Sequence, residues 1–156
     1  MGAIENFHWV APLLVRGARP LSHKDLQAKG VSIAINLESG FYEQFFQDDY
    51  ETEIPREFGI VEKNLHLSNW EMPTVERLED IVQEIEVERA LGNVVFVHCR
   101  WGKDRTGIVL AAWRIIVQGW TYEAAVKEMF GIGFRRYVYF LWLRSLKQLA
   151  EKRGRA

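Results

Sequence analysis

The sequence contains very little cysteine: a single residue, Cys99, in a chain of 156. One cysteine cannot form a disulfide within the chain, which fits a reducing compartment or a thiol kept free for chemistry. Residues 1–6 have neither a basic start nor a long apolar run, so no signal peptide is predicted. No other stretch predicts a transmembrane helix. We therefore expect a cytoplasmic protein.

An excess of charge of either sign is also missing. The chain carries 20 Lys and Arg residues against 21 Asp and Glu residues, a formal net charge of −1. No overall positive field is present to recruit nucleic acid or anionic membrane, and a local cluster of cations must bind any polyanion. Because the sequence shows no cluster of metal-ligand residues, we expect neither a metal nor another cofactor.

Length and hydrophobic content indicate one domain. A chain of 156 residues has the usual size of a single domain, and a hydrophobic fraction of 48% is ample for one core. Repeats, low-complexity segments and linkers are absent. Residues 1–156 are therefore interpreted as a single domain whose oligomeric state the sequence does not predict.

Strand-length and helix-length hydrophobic patterns alternate along the chain. Strands are predicted over 13–18, 31–37, 60–67 and 94–97, and helices over 23–29, 75–91, 108–117, 122–130 and 137–152. Ser22, Thr74 and Thr121 are suited to cap three of these helices. The aromatic and acidic stretch 40–59 predicts a surface helix or, less favoured, a lid. The alternation predicts an α/β fold: a central, mostly parallel sheet of four to five strands flanked by helices on both faces.

The most informative stretch is 94–107, Val-Val-Phe-Val-His-Cys-Arg-Trp-Gly-Lys-Asp-Arg-Thr-Gly. Its β-branched and aromatic start predicts a buried central strand, and the apolar run that follows it predicts a buried helix. In such a junction the N–H groups of the loop and the positive end of the helix dipole meet at one point. The sequence therefore predicts a phosphate-binding loop between strand and helix.

The side chains in this stretch point to phosphoryl transfer. A cysteine among N–H donors near a helix start has its thiolate stabilised, which makes Cys99 a nucleophile rather than a small buried hydrophobe. The planar fork of Arg105 can bind two phosphate oxygens, and Thr106 can donate its hydroxyl to the sulfur as it leaves. Gly102 and Gly107 permit positive φ and close backbone approach. These residues predict a covalent phosphocysteine intermediate.

His98-Cys99, five residues and then Arg105-Thr106-Gly107 resemble the phosphate-binding loop of the cysteine-dependent, protein-tyrosine-phosphatase-like phosphatases. The resemblance implies a phosphatase catalytic domain that hydrolyses phosphate monoesters. His98 is expected to orient the loop. The resemblance also implies that the remaining loop positions contact substrate: Arg100, Trp101, Gly102, Lys103 and Gly107.

The inner Gly102-Lys103-Asp104 is similar to members that act on phosphoinositides and inositol phosphates, among them atypical dual-specificity phosphatases and tyrosine-phosphatase-like phytases. It implies an inositol polyphosphate or phosphoinositide substrate, with Lys103 reaching a second phosphate. Arg16 resembles the arginine that ends the first strand in the atypical dual-specificity group, or is a solvated loop residue. Further cations could extend the rim of the site: Arg19, Lys63, His66, Arg135 and Arg136.

The general acid of the tyrosine-phosphatase pattern is missing from its usual place. That acid is an aspartate a few residues before a proline, and counting back from Pro73 the position holds Asn69, which cannot donate the proton. Glu71 is the nearest carboxyl group, although it could simply be an exposed glutamate at a helix start. Asp104, within the loop, is the other candidate, as acid or as second-step base.

Three further functions stay open. A small protein tyrosine or dual-specificity phosphatase uses the same chemistry and differs in the depth of its pocket. A phosphate-binding module with little turnover follows from Asn69 in the place of the acid. Sulfur transfer also uses a cysteine in an anion-binding loop, but Arg105-Thr106-Gly107 disfavours it.

Overall fold

The structure, a computed structural model, describes residues 4–38, 59–68 and 70–156. Within these residues the strands form one sheet in the order β1-β2-β5-β3-β4. They are β1 (His8–Ala11), β2 (Leu14–Ala18), β3 (Ile33–Asn36), β4 (Val61–Asn64) and β5 (Val95–Cys99). The four strands β2, β5, β3 and β4 pair in parallel, and β1 is antiparallel to β2 at one edge. The expected α/β fold with a mostly parallel sheet is confirmed.

The helices of the described residues are α1 (His23–Ala28), α2 (Val75–Ala90), α3 (Arg105–Gln118), α4 (Tyr122–Gly131) and α5 (Trp142–Lys152). The hydroxyls of Ser22, Thr74 and Thr121 each accept a backbone N–H from the first turn, as expected of N-caps. Helix α3 begins three residues earlier than predicted, so Arg105 and Thr106 lie on its first turn. No helix in the described ranges is long and apolar enough to cross a membrane.

Successive side chains of β5 lie on opposite faces of the sheet. Val95 and Val97 belong to the larger core, which α2, α3, α4 and α5 cover. Phe96 belongs to a smaller core, which Leu26 of α1 and Ile4 cover on the other face. Helices on both faces are therefore confirmed, and the central strand β5 is buried on both sides.

Three parts of the chain differ from the sequence prediction or escape it. Strand β1 was not predicted, because its four partly exposed residues show no alternation of apolar and polar side chains. They form a strand by pairing with β2. The last helix begins at Trp142 and not at residue 137: the preceding segment forms turns in which the ring of Tyr139 packs against that of Trp142, with centroids 4.4 Å apart and the planes tilted by 38°. The helix or lid predicted for 40–59 lies, apart from Gly59, outside the described residues.

Candidate active site

Cys99 is the last residue of β5, and α3 begins six residues later at Arg105. Strands β2 and β3 flank β5. The loop that joins β5 to α3 therefore lies at the centre of the carboxyl edge of the sheet. Ligands of open parallel sheets bind at this edge, beyond the carboxyl ends of the strands. The predicted phosphate-binding loop, residues 100–104, therefore lies where the fold leaves room for a ligand.

The carbonyl groups of this loop are turned outward by donors from other segments. The carbonyl of Arg100 accepts from the N–H of Arg19 (3.2 Å), that of Trp101 from Nδ2 of Asn6 (2.7 Å) and that of Gly102 from Nη2 of Arg16 (3.0 Å). The peptide bonds are trans, so each N–H that follows such a carbonyl points the opposite way. The N–H groups of residues 101–103 consequently face the interior of the loop.

Two side chains complete the interior of the loop. The hydroxyl of Thr106 donates to Sγ of Cys99 at 3.0 Å, within the buried start of α3. Arg105 is only 4% exposed, and its buried Nη1 has no hydrogen-bond partner among the described residues. A buried guanidinium donor without a partner costs free energy unless an anion binds it. The loop therefore has the donors and the charge for a tetrahedral oxyanion next to the thiol.

The two loop glycines serve different purposes. Gly102 has a φ of +68°, and a Cβ there would lie 2.5 Å from the backbone nitrogen of Ala18, so only glycine fits. Gly107 lies inside α3, and its predicted positive φ is wrong. Glycine serves close packing at this position, because a Cβ at Gly107 would lie 3.1 Å from Cγ of Met129. The missing side chain lets α4 pack against the first turn of α3.

Arg16 is a buried residue of β2 and not a solvated loop arginine. It is 2% exposed, and apart from the bond to Gly102 its Nε is buried without a partner among the described residues. Burial lowers the pKa of Arg16 to about 10, and the negative groups that oppose this shift are Cys99 and Glu128. The guanidinium lies on the outer side of the phosphate-binding loop, against the carbonyl of Gly102, and adds positive charge near the nucleophile.

Asp104 connects the loop to the turn between α4 and α5. Its carboxylate accepts from the backbone N–H of Arg135 and from Nε of Arg135, both at 2.8 Å, and pairs with Nη2 at 2.7 Å. The hydrogen bonds to Asp104 raise the pKa of Arg135. Because these donors engage both carboxylate oxygens, Asp104 fixes the position of the loop.

His98 is completely buried one residue before the nucleophile. Its ring stacks on Phe96, with centroids 5.2 Å apart. Burial lowers the pKa of His98 to about 4, and the nearby Glu38 carboxylate only partly offsets this. The imidazole is thus neutral near pH 7 and cannot supply a positive charge there.

The remaining cations separate into those beside the loop and those held elsewhere. The side chain of Lys103 lies against Gly133, and the guanidinium of Arg100 lies 5.2 Å from the ring centroid of Trp101. By contrast, Arg19 makes a bidentate ion pair with the buried Glu38. The rim predicted from Lys63 and His66 is not formed: Lys63 pairs with Glu84 and Glu88 of α2, and the ring of His66 contacts the carbonyl of Glu38.

Glu71 lies in the exposed segment before α2. Its backbone N–H donates to Oγ of Ser68 (3.2 Å), and its carboxylate has no hydrogen-bond partner among the described residues. The end of this segment is attached to α5, because Oγ of Ser145 donates to the carbonyl of Pro73 at 2.5 Å. Asn69, which occupies the usual place of the acid, lies outside the described residues.

Sequence reasoning missed the residues that support the loop from a distance. Asn6 and Arg16 are 95 and 86 residues away in sequence from the loop residues that they contact. Glu38 pairs with the side chain of Arg19, whose backbone N–H donates to the loop. Their contacts depend on the pairing of β2 and β3 with β5. Only Arg16 carried a usable signal, since a charged residue directly after the apolar run 13–15 is unusual for a strand buried on both faces.

Comparisons with known proteins agree with this geometry. A family model described as "Polymorphic toxin system, DSP-PTPase phosphatase" matches residues 17–119. The human phosphatidylglycerophosphatase and protein-tyrosine phosphatase 1 is 32% identical over 142 residues, 85% of this chain and 66% of that protein. The dual specificity protein phosphatase TpbA of Pseudomonas aeruginosa is 27% identical over 135 residues, 83% of this chain and 55% of TpbA. The chain thus spans between half and two thirds of the length of these curated relatives.

Solved structures show the same fold. A crystal structure of Tk-PTP in the active form has a TM-score of 0.77 at 20% identity and covers 94% of this chain and 97% of its own. PTPMT1 in complex with PI(5)P has a TM-score of 0.73 at 24% identity, with 96% and 97% covered. The resemblance to the protein-tyrosine-phosphatase-like phosphatases is confirmed, and since the family model matches more than half of the residues, the chain belongs to the DSP-PTPase phosphatase family.

Proposed function

We propose that this chain hydrolyses phosphate monoesters through a phosphocysteine on Cys99, with residues 1–156 acting as one catalytic domain. The observation that carries the proposal is the loop itself. Its carbonyls are bonded outward, its N–H groups face inward, and the buried Nη1 of Arg105 has no protein partner in the described residues. Preorganised donors of this kind stabilise the charge of a transferring phosphoryl group.

The reaction has two steps. In the first, the thiolate of Cys99 attacks phosphorus in line, the S–P bond forms, and the bond from phosphorus to the ester oxygen breaks. Arg105 and the inward N–H groups hold the other oxygens, and Lys103 lies beside them. In the second step water attacks phosphorus, the S–P bond breaks, and Thr106 donates its hydroxyl to the departing sulfur at the observed 3.0 Å. The products are the alcohol and inorganic phosphate.

We assign the general acid to Glu71 rather than to Asp104. Both oxygens of Asp104 accept hydrogen bonds from Arg135, so protonating Asp104 would cost those bonds. The carboxyl group of Glu71 is exposed and has no partner among the described residues, so it can give its proton to the leaving oxygen in the first step and take one from the attacking water in the second. Asp104 then acts as a positioning residue.

The substrate class that we favour is a phosphoinositide or inositol phosphate. Lys103 lies partly buried between the loop and Gly133, where its ammonium can meet a second phosphate on the same ring. PTPMT1, which has this fold, is known in complex with PI(5)P. A multiply phosphorylated ring would use two positive side chains of one loop, Lys103 and Arg105.

A phosphotyrosine substrate is the second candidate. TpbA, a 27% identical relative, is named a dual specificity protein phosphatase, and a variant of TpbA with serine in place of one cysteine is known in complex with pTyr. The exposed ring of Trp101, within the loop, could stack on the ring of a phosphotyrosine. This candidate uses the same nucleophile and arginine and differs in what the rim contacts.

The test is phosphate release by the wild-type chain and by Cys99→Ser over one panel of substrates: inositol hexakisphosphate, phosphoinositide headgroups, a phosphotyrosine peptide and an aryl phosphate. We expect phosphate release that requires Cys99 and is fastest from the inositol phosphates. Lys103→Met should lower release from the inositol phosphates selectively. Preference for the peptide would replace the first substrate class by the second. Release from none of them would overturn the proposal and leave a phosphate-binding module.

The acid has its own test. The pH–rate profile of Glu71→Gln should lose its dependence on a protonated group and fall by about 100-fold or more on poor leaving groups. An activated aryl phosphate should be affected much less, because its leaving group needs no proton. Asp104→Asn is the matched comparison and should keep the shape of the profile. If the dependence disappears in Asp104→Asn instead, the assignment to Glu71 is wrong.

A further inference from the structure

Large apolar side chains are exposed around the mouth of the phosphate-binding loop. Trp70 is 77% exposed in the segment before α2, Trp101 is 48% exposed in the loop itself, and Tyr137 and Phe140 are 84% and 61% exposed between α4 and α5. Met72 is exposed beside Trp70. We call these five residues the aromatic collar. Exposed apolar groups that gather on one side of a protein mark an interaction surface, whereas single ones need no explanation.

The three segments of the collar belong to one edge of the molecule. Trp101 lies in the loop that follows β5. The segment with Tyr137 and Phe140 is fixed to that loop through the ion pair between Arg135 and Asp104. The segment with Trp70 and Met72 follows β4, whose carboxyl end lies at the same edge of the parallel sheet. The collar therefore lies at the edge of the sheet where β5 ends at Cys99.

Cations accompany the rings of the collar. The guanidinium of Arg136 lies 4.9 Å from the ring centroid of Tyr137 and 5.5 Å from that of Phe130, and that of Arg100 lies 5.2 Å from Trp101. Arg136 and Lys103 have no acidic partner among the described residues. Around Arg136 the surface forms a shallow cleft of about 370 Å³, lined by Phe130, Phe134, Arg135, Arg136, Tyr137 and Val138.

The far side of the molecule is built differently. Leu91, at the end of α2 and at the opposite edge of the sheet, is 72% exposed. The cations near it are neutralised, because Arg89 pairs with Glu86. Lys152 and Arg153 of the last helix both pair with Glu79. An exposed ring also occurs outside the collar, at Trp9 of β1. At the collar, four exposed rings lie together with Arg136 and Lys103, which have no acidic partner among the described residues.

We propose that the aromatic collar docks on an anionic lipid surface and presents the phosphate-binding loop to phosphate groups carried by lipid headgroups. Tryptophan and tyrosine rings sit at the headgroup level of bilayers, and arginines beside them meet the negative lipid phosphates. The collar side chains stand on separate loops at one edge of the sheet. A flat layer of lipid headgroups can contact all of them at once. Because the whole chain has a net charge of −1, only this local group of cations can attract an anionic lipid surface. The inference rests on the proposed function, since it names how the substrate is presented.

The test uses the full chain as Cys99→Ser, sedimented with vesicles of phosphatidylcholine alone or mixed with phosphatidylglycerol. We expect binding to the mixed vesicles, weakened by salt and by Arg136→Gln. The double variant Tyr137→Ser with Phe140→Ser should lower vesicle affinity by about tenfold or more, the scale of removing inserted aromatic area. Leu91→Ser is the matched control at the opposite edge and should bind as Cys99→Ser alone does. Melting temperatures of all variants check that each is folded.

Turnover separates failure of this inference from failure of the proposed function. With Cys99 intact, Tyr137→Ser with Phe140→Ser should release phosphate from a soluble aryl phosphate as the wild type does, and lose release from phosphoinositide in vesicles. Aryl phosphate turnover by a chain that binds no vesicles would overturn the lipid surface alone. If the chain binds no vesicles and the double variant loses phosphopeptide turnover, the collar binds a protein partner. This result would also overturn the lipid-surface inference. No turnover at all would overturn the proposed function.

Discussion

The two ends of β5 are equally buried and chemically opposite. Val95, Phe96 and Val97 are fully buried among apolar side chains of both cores. Beyond the other end, His98, Cys99, Asp104 and Arg105 are almost as buried, and with Arg16 they bring together a neutral imidazole, a thiol, a carboxylate and two guanidinium groups. Burial at the first end stabilises the fold, and burial at the second end costs free energy. The stability of the apolar end thus offsets the cost of the charged end.

The sharpest test of the charged end is Arg105→Lys. A lysine keeps the charge but loses the planar fork that binds two oxygens, so we expect kcat to fall by about 100- to 1,000-fold. The melting temperature should change little, because Nη1 of Arg105 stabilises nothing among the described residues. Steady-state kinetics and thermal unfolding of the same preparation check both statements. A large loss of stability with unchanged kcat would make Arg105 a structural residue.

The reverse result is expected at the apolar end. Leu14 is fully buried and pairs in register with Val95, so Leu14→Ala should lower the free energy of unfolding by about 2–5 kcal/mol through lost burial and a cavity. Turnover per folded molecule should stay within about twofold at a temperature where the variant is folded. Urea unfolding and active-site titration measure the two quantities. If kcat falls as far as it does in Arg105→Lys, the two ends are not separable.

His98 lies at the border of the two ends and predicts a pH dependence of stability. Its pKa is about 4 in the folded chain against 6.5 in the unfolded chain, because burial disfavours the charged ring. The unfolded chain therefore takes up a proton first as pH falls. The stability contributed by neutral His98 is complete above pH 6.5 and is lost toward pH 4, by about 3 kcal/mol. Urea unfolding of His98→Asn across this range should show a correspondingly flatter pH dependence, and an unchanged slope would contradict the assignment.

Arg16→Met should show the smallest effect on stability and a specific effect on the nucleophile. Arg16→Met removes the cost of burying a guanidinium but leaves the carbonyl of Gly102 without its donor, so the two effects oppose each other and the free energy of unfolding should change by no more than about 1–2 kcal/mol. The positive charge of Arg16 near Cys99 is lost as well. Alkylation of Cys99 by iodoacetamide at pH 7 should become slower, and kcat should fall by about tenfold. An unchanged alkylation rate in a folded variant would show that the charge of Arg16 does not act on Cys99.

That the central residues of the site lie together could be predicted because they are local in sequence. Cys99, Arg105 and Thr106 lie in one strand-loop-helix junction, and the interior of such a loop follows from its own residues. Asn6 was out of reach, and Arg16 could be named only with two alternatives, since their bonds to the loop exist only after β2 has paired with β5. The last helix was placed too early for a related reason. The segment 137–141 has a helical pattern, but this local preference is weak, and tertiary contacts such as that of Tyr139 with Trp142 accompany turns there instead.

The bond pattern between Asp104 and Arg135 also constrains how members of this family can exchange parts. The turn that bears Arg135 belongs to the rim, while Asp104 precedes the arginine that binds phosphate. If a chimera keeps Asp104 but takes the turn from a relative without this arginine, the carboxylate of Asp104 is buried without its guanidinium partner. A functional chimera should therefore take the phosphate-binding loop and the turn from the same parent protein. In natural relatives, the residues at these two positions should change in pairs.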